Sequence, residues 1–314
     1  MISPKSEPLT SRWLHRWAQF TVLATFALLF LGSVVTTFRV GMADPIWPTY
    51  PWHLLLISWE EPSPGFIVEH AHRAAGYIVG CCVIVLAVWI AMKDSRRSVR
   101  WLGWLALASV ILQGVLGGIR VRYHAILGPT LALFHGCFPQ VVLGLLISLA
   151  VLTSPRWLAG QPRTGDGRAQ HWAIGVVGLI FAQITLGAVL RHTGSGLGQR
   201  GHLLFAFALV LAVAWLWKLA LEEPDRALLV PVAVLAAALA IQILLGVEAW
   251  IGKFVNQPPL EEQQISAGQA ALRTVHVLMG YVVLSAGIIV AWKSHRQLAT
   301  EAGWQASGNL EGAA

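Results

Sequence analysis

Charge is scarce in this 314-residue chain. Only 12% of its residues are Asp, Glu, Lys or Arg, about half the share in an average soluble domain. That scarcity excludes a charge-rich disordered chain and argues against an ordinary soluble enzyme. Cysteine is scarcer still. Cys81, Cys82 and Cys137 all lie inside apolar runs, so no loop disulfide is available and the compartment's redox state cannot be read from them. The opening MISPKSEPLTSRWLHRW has no apolar stretch ending at a small-residue cleavage site. It reads as a cytoplasmic tail before a first retained span. No HExxH and no close pair of histidines at i,i+4 occurs, which weakens a zinc reading.

Apolar residues are what the chain has in abundance. They make up 56% of it, and the mean hydropathy is +0.64. Eight runs, at about 18–37, 67–92, 101–119, 129–153, 171–190, 201–221, 228–252 and 269–292, are each long enough to cross a bilayer as a helix. They are too long for barrel strands and lack period-2 alternation. The net charge of +7 would suggest nucleic acid in a soluble protein, but here the cations sit in short connections. Fourteen lie on the side shared by both termini and eight on the other, so the positive-inside rule puts both termini in the cytoplasm. The longer outer loops, about 38–66 and 253–268, include Pro45, Pro48, Pro51, Trp47, Trp52 and Trp59 in the first, a composition suited to the bilayer interface.

The chain also repeats itself. HRAAGYIV at 72–79 and HVLMGYVV at 276–283 share H-x-x-x-G-Y-[IV]-V; LQGVLGGIRV at 112–121 resembles AQITLGAVLRH at 182–192. The expected fold is therefore an all-α membrane protein of eight transmembrane helices in two tandem four-helix bundles. The boundaries are a tail at 1–17, an N-terminal half at 18–153, a linker at 154–170, a C-terminal half at 171–292 and a tail at 293–314.

Polar groups in the hydrocarbon are costly, so ionisable residues there mark function. His72, His135, His202 and His276 fall one to each even-numbered span, at matched depth near the outer side. Two haems, each clamped by two imidazoles, need such a set. The duplication pairs His72 with His135 and His202 with His276. Gly76 and Gly280, each at i+4 from a histidine, would let a flat macrocycle approach, and Pro139 at i+4 from His135 could bend its helix. The plain alternative is core histidines hydrogen-bonded between helices. Glu69, at i−3 from His72, shares its helical face. It would set a carboxylate beside the first site but not the second, where span 8 carries Arg273; its alternative role is pairing with Arg73. Arg73, Arg120, Arg122, Arg191, Arg200 and Arg273 lie where haem propionates would emerge, or else reach for lipid headgroups. His53, His70, His124 and His192 are weaker candidates, and Glu248 is expected to be paired structurally.

EHAHRAAG at 69–76 contains E-x-x-H-R. Together with the FHG of span 4, LGAVLRHTGSGL at 186–197 and HVLMGY in span 8, the chain resembles the haem A synthase family from about residue 18 to 292. The resemblance implies oxidation of a ring methyl of haem O to the formyl group of haem A, for cytochrome oxidase assembly. It implies haem b on His202 and His276, the substrate haem O on His72 and His135, and Glu69 as the catalytic carboxylate. It implies a haem O synthase handing over substrate, an electron donor and the oxidase assembly machinery as partners. The apolar runs themselves make membrane lipid a partner, the placement of the cations argues for no nucleic acid, and with no transit peptide evident a bacterial plasma membrane is expected. One feature departs from many bacterial members: the first outer loop, FRVGMADPIWPTYPWH, has no cysteine pair. Two rivals keep the histidines without the chemistry: a di-haem electron-transfer cytochrome b, and a haem-binding assembly factor.

Overall fold

The structure is a computed structural model that describes residues 9–44, 47, 63–159, 167–223, 226–255 and 265–298. Among them, every regular element is helical. In order these are α1 (Leu9–Thr37), α2 (Pro64–Lys93), α3 (Arg97–Arg122), α4 (His124–Cys137), α5 (Pro139–Leu152), the short α6 (Pro155–Ala159), α7 (Arg168–Thr193), α8 (Gly196–Glu222), α9 (Leu229–Phe254) and α10 (Ala267–Leu298). Eight segments are long and apolar enough to cross a membrane, the fourth being Thr130–Leu152 across α4 and α5. The chain is a multi-pass membrane protein.

Local chemistry sets the helix ends. Ser63 caps α2 by accepting from the Phe66 amide, with Pro64 at the first helical position, where its missing N–H costs nothing. Gly194 ends α7 in the left-handed region at φ 63°, and Ser195 then caps α8. The α4–α5 junction falls at Pro139. The proline removes the donor that would meet the His135 carbonyl, and the Gln113 side chain supplies one instead at 2.9 Å. The bend expected at Pro139 is thus a helix boundary.

Sequential helices pair as antiparallel hairpins: α1 with α2, α3 with α4 and α5, α7 with α8, and α9 with α10. Two apolar cores result. One joins α1, α2, α3 and α5 through Val83, Leu86, Ile90, Leu146 and Leu149. The other joins α7 to α10 through Val176, Leu216, Leu235 and Leu284. The halves meet where α10 packs on α1 and α5, and where α4 packs on α7. Trp292 touches both cores and donates to Ser148 Oγ at 2.8 Å.

Candidate functional site

The four even-span histidines occupy equivalent places, one per hairpin. Each imidazole lies against a glycine of the preceding helix. A Cβ built on Gly32, Gly117, Gly187 or Gly246 would come within 2.9, 3.1, 2.9 or 3.0 Å of Cε1 of His72, His135, His202 or His276 respectively. Each glycine is therefore the notch that seats a ring. Four residues before it, on the same helix face, stand Leu28, Gln113, Gln183 and Gln242. The repeat unit at the site is thus the two-helix hairpin. This explains why spans 2 and 8, which are not counterparts in a four-helix duplication, read alike. The counterpart of His72 in such a duplication is His202, with Gln199 at i−3. The signal was available in the sequence as the recurring four-residue spacing to LG in spans 1, 3, 5 and 7.

His202 shows the seat most fully. Its Nδ1 lies 3.0 Å from Gln183 O, while the Gln183 amide donates to His202 O at 2.8 Å. A carbonyl only accepts, so Nδ1 carries the proton and Nε2 is left as a lone pair. That is the tautomer a metal ligand needs. The His202 and His276 rings sit with centroids 6.4 Å apart and planes at 82°. An imidazole–metal bond runs about 2 Å and the ring centre lies about 1 Å behind the nitrogen, so two trans ligands to one ion set their centroids roughly 6 Å apart. The separation is that of two imidazoles sharing one metal ion, and the Gln242 amide lies 3.4 Å from His276 Nε2. His72 and His135 in the other half are electrostatic neighbours, and the space over Gly76 is open, with no atom within 4 Å of a built Cβ.

A cationic cap adjoins the His202–His276 pair. Arg191 donates to Ser33 O at 2.9 Å and to Thr37 Oγ1 at 2.8 Å. Thr37 in turn meets Thr274 at 3.3 Å, and the neighbouring Arg273 donates to Gly252 O beside Lys253. Arg39 stands two residues past α1 with φ 55°, a left-handed conformation that costs a non-glycine residue about 1–2 kcal/mol. Arg39, Arg191, Lys253 and Arg273 lie close enough to repel one another. Four cations gathered this way suit an anion with two carboxylates.

Glu69 lies in the other half, 3% exposed. One carboxylate oxygen takes Arg73 Nη2 at 2.7 Å and the other accepts the Asp44 amide at 3.0 Å. Asp44 also binds Arg73 Nη1 at 3.1 Å and faces His70 Nε2 at 3.3 Å. These four residues tie the chain that follows α1 to the start of α2. Asp44 was invisible as a site residue in the sequence, because only folding brings it 25 positions back onto Glu69.

The remaining candidates scatter. Arg73 is engaged by Glu69 and Asp44. Arg120 lies under Gly41, with Nη2 3.0 Å from a built Cβ and Nε buried without a partner. Arg122 and Arg200 are exposed. Glu248 does not pair: it is exposed on α9 and forms no ion pair among the described residues. His124 is exposed at the start of α4, and His53 lies outside the described residues, as do Pro45, Pro48, Pro51, Trp52 and Trp59. Trp47 packs over Gly118, where a side chain would collide with its ring. His192, weak in sequence, reaches across the halves: its Nε2 lies 3.2 Å from a Cβ built on Gly136, next to His135.

The chain is similar to known proteins in this region. The family model of cytochrome oxidase assembly proteins matches residues 51–199, which include Glu69, His72 and His135 but stop short of His202 and His276. Curated relatives include the heme A synthases of Alkalihalophilus pseudofirmus (25% identical over 192 residues, 60% of this chain and 63% of the relative) and Geobacillus kaustophilus (25% over 193 residues, 59% and 58%). That of Lysinibacillus sphaericus is 27% identical over 186 residues, 57% and 59%. The chain thus spans about three fifths of the length of these relatives. These matches bear out the resemblance to the haem A synthase family.

Proposed function

We propose that the chain is a haem A synthase of the bacterial plasma membrane, oxidising a ring methyl of haem O to the formyl group of haem A for cytochrome oxidase assembly. The observation that carries the haem reading is the His202–His276 pair, 6.4 Å between ring centroids, with His202 held by the Gln183 carbonyl in the tautomer that leaves its Nε2 free. On this reading His202 and His276 hold haem b, His72 and His135 hold haem O, and the C-terminal half serves the N-terminal one. Haem b supplies one-electron transfer when bound.

The chain's own residues divide the remaining work. Arg39, Arg191, Lys253 and Arg273 bind the propionates of haem b and offset their charge in a site poor in water. Glu69, on the helical face of His72 and fixed by Arg73 and Asp44, sets a carboxylate beside the substrate ring, where it stabilises positive charge or accepts a proton at Oε1 or Oε2. Gly76 leaves room for the macrocycle. Both termini face the cytoplasm, and the histidines lie toward the outer leaflet. Electrons come from a membrane donor; haem O comes from its synthase; the product passes to the oxidase assembly machinery.

The test is extraction and chromatography of haems from the protein purified after co-expression with a haem O source. Haem A or a hydroxylated intermediate beside haem b is expected. Glu69→Ala should keep haem b and lose haem A; full haem A production by that variant would end the catalytic assignment. His276→Ala should lose haem b, and a normal haem b spectrum would overturn the C-terminal site. Haem b alone, at two per chain, would point instead to an electron-transfer cytochrome.

A further inference from the structure

Arg120 is a half-buried cation with no task in the chemistry above. It stands on α3 three residues past Gly117, the notch that seats His135, so it shares that helix face one turn nearer the outer end. Arg191 of the haem b cap stands in the matching place, four residues past Gly187. Arg191 is tied to Ser33 and Thr37, whereas Arg120 forms no hydrogen bond or ion pair among the described residues and its Nε is buried. The charge of Arg120 acts on His72, His135 and His192 and meets that of Glu69. Glu69 does not satisfy it, because its two oxygens take Arg73 and the Asp44 amide. The chain leaving α1 passes over the guanidinium at Gly41, whose built Cβ lies 3.0 Å from Nη2. His192 adjoins the same place from α7 of the other half. Its Nε2 lies 3.2 Å from a Cβ built on Gly136, next to His135, and neither ring nitrogen makes a hydrogen bond among the described residues.

A guanidinium withdrawn from water without a counter-ion is costly unless a ligand brings the anion. A carboxylate is the anion its fork matches best. We propose that Arg120 and His192 bind the propionates of the substrate haem, the Arg120 guanidinium donating to one carboxylate and the His192 ring N–H to the other. The inference rests on the haem reading above and adds to it the groups that orient the substrate. Imidazoles on an iron fix the plane of a porphyrin but leave it free to turn about the iron–nitrogen axis. Propionates anchored at Arg120 and His192 stop that rotation, so the same edge of the ring always meets Glu69. Substrate orientation is thus set by both halves of the molecule, since Arg120 comes from α3 and His192 from α7.

The experiment is absorbance titration of the purified full chain, ferric and with haem b bound, using haem O and haem O whose propionates are methyl esters. Without a reductant there is no turnover, so binding is read apart from activity. Wild type should bind haem O about tenfold or more tightly than the ester. Arg120→Gln should weaken haem O by about tenfold or more and leave the ester within twofold. Arg120→Lys, which keeps the charge without the fork, should fall between. His192→Phe, an independent change in α7, should weaken haem O by about three- to tenfold, again with little effect on the ester. Unchanged haem b content reports an intact fold in each variant. Equal affinity of wild type for haem O and its ester would overturn the proposal. So would an Arg120→Gln affinity for haem O within twofold of wild type, or equal losses of haem O and ester in these variants. A wild type that takes up no haem O would instead overturn the haem reading itself.

Discussion

At the scale of single residues, buried charge decides most. Asp44, Glu69, Arg73 and His70 are drawn together under the chain that leaves α1. Removing one member leaves another buried and under-bonded, so Asp44→Ala should destabilise the fold by about 1–3 kcal/mol, read as a lowered unfolding midpoint in detergent. Asp94, just past α2, behaves differently. Its partial withdrawal from water raises its carboxyl pKa, but bonds from the Arg96 guanidinium at 2.6 Å and the Arg96 amide outweigh that and hold it below the usual carboxylate range. A depressed carboxylate contributes stability that is present above the unfolded value and lost as pH falls through the folded one. The loss is therefore expected below about pH 4. Thermal melts against pH should show it in wild type and not in Asp94→Asn.

At the scale of elements, the glycine notches make the hairpins what they are. Gly187→Ala would push a methyl to within 2.9 Å of His202 Cε1, where the ring must shift or the helices must part, at about 1–3 kcal/mol. The expected outcome is eight intact helices by circular dichroism with haem b reduced or absent. Retention of a full, unshifted haem b spectrum would show that the notch does not seat the ligand. The histidines themselves were legible, because a polar residue recurring in apolar spans stands out. The notches were not, because glycine is common in packed membrane helices and only the partner across the hairpin gives each one meaning. The four-residue spacing from Gln to Gly was in plain view, but its register against histidine depends on how two helices pack.

At the scale of the whole molecule, two half-bundles share one seam. Arg191 crosses it from α7 to Ser33 and Thr37 of α1, and His192 crosses it toward Gly136. Arg191→Met should therefore do two things: weaken retention of haem b by removing one cation of the cap, and loosen the contact between α1 and α7. Haem content and limited proteolysis in detergent would report them separately. The charge bias between the two sets of connections predicts cytoplasmic termini. Labelling of single cysteines introduced near residues 5 and 305 by an impermeant thiol reagent should fail in intact cells and succeed after lysis.

Composition and periodicity by themselves determined the class of molecule. An apolar content of 56% in eight long runs leaves helices across a membrane as the one arrangement that satisfies the backbone, and a histidine in each even run marks where polar chemistry is tolerated. Contacts between distant segments were decided only in the tertiary structure. Asp44 on Glu69, Arg191 on Thr37, each imidazole in its glycine notch and Leu28 where three hairpins carry glutamine all depend on helix rotation and register. Rotation and register are set by packing summed over whole faces, which no local pattern of residues encodes.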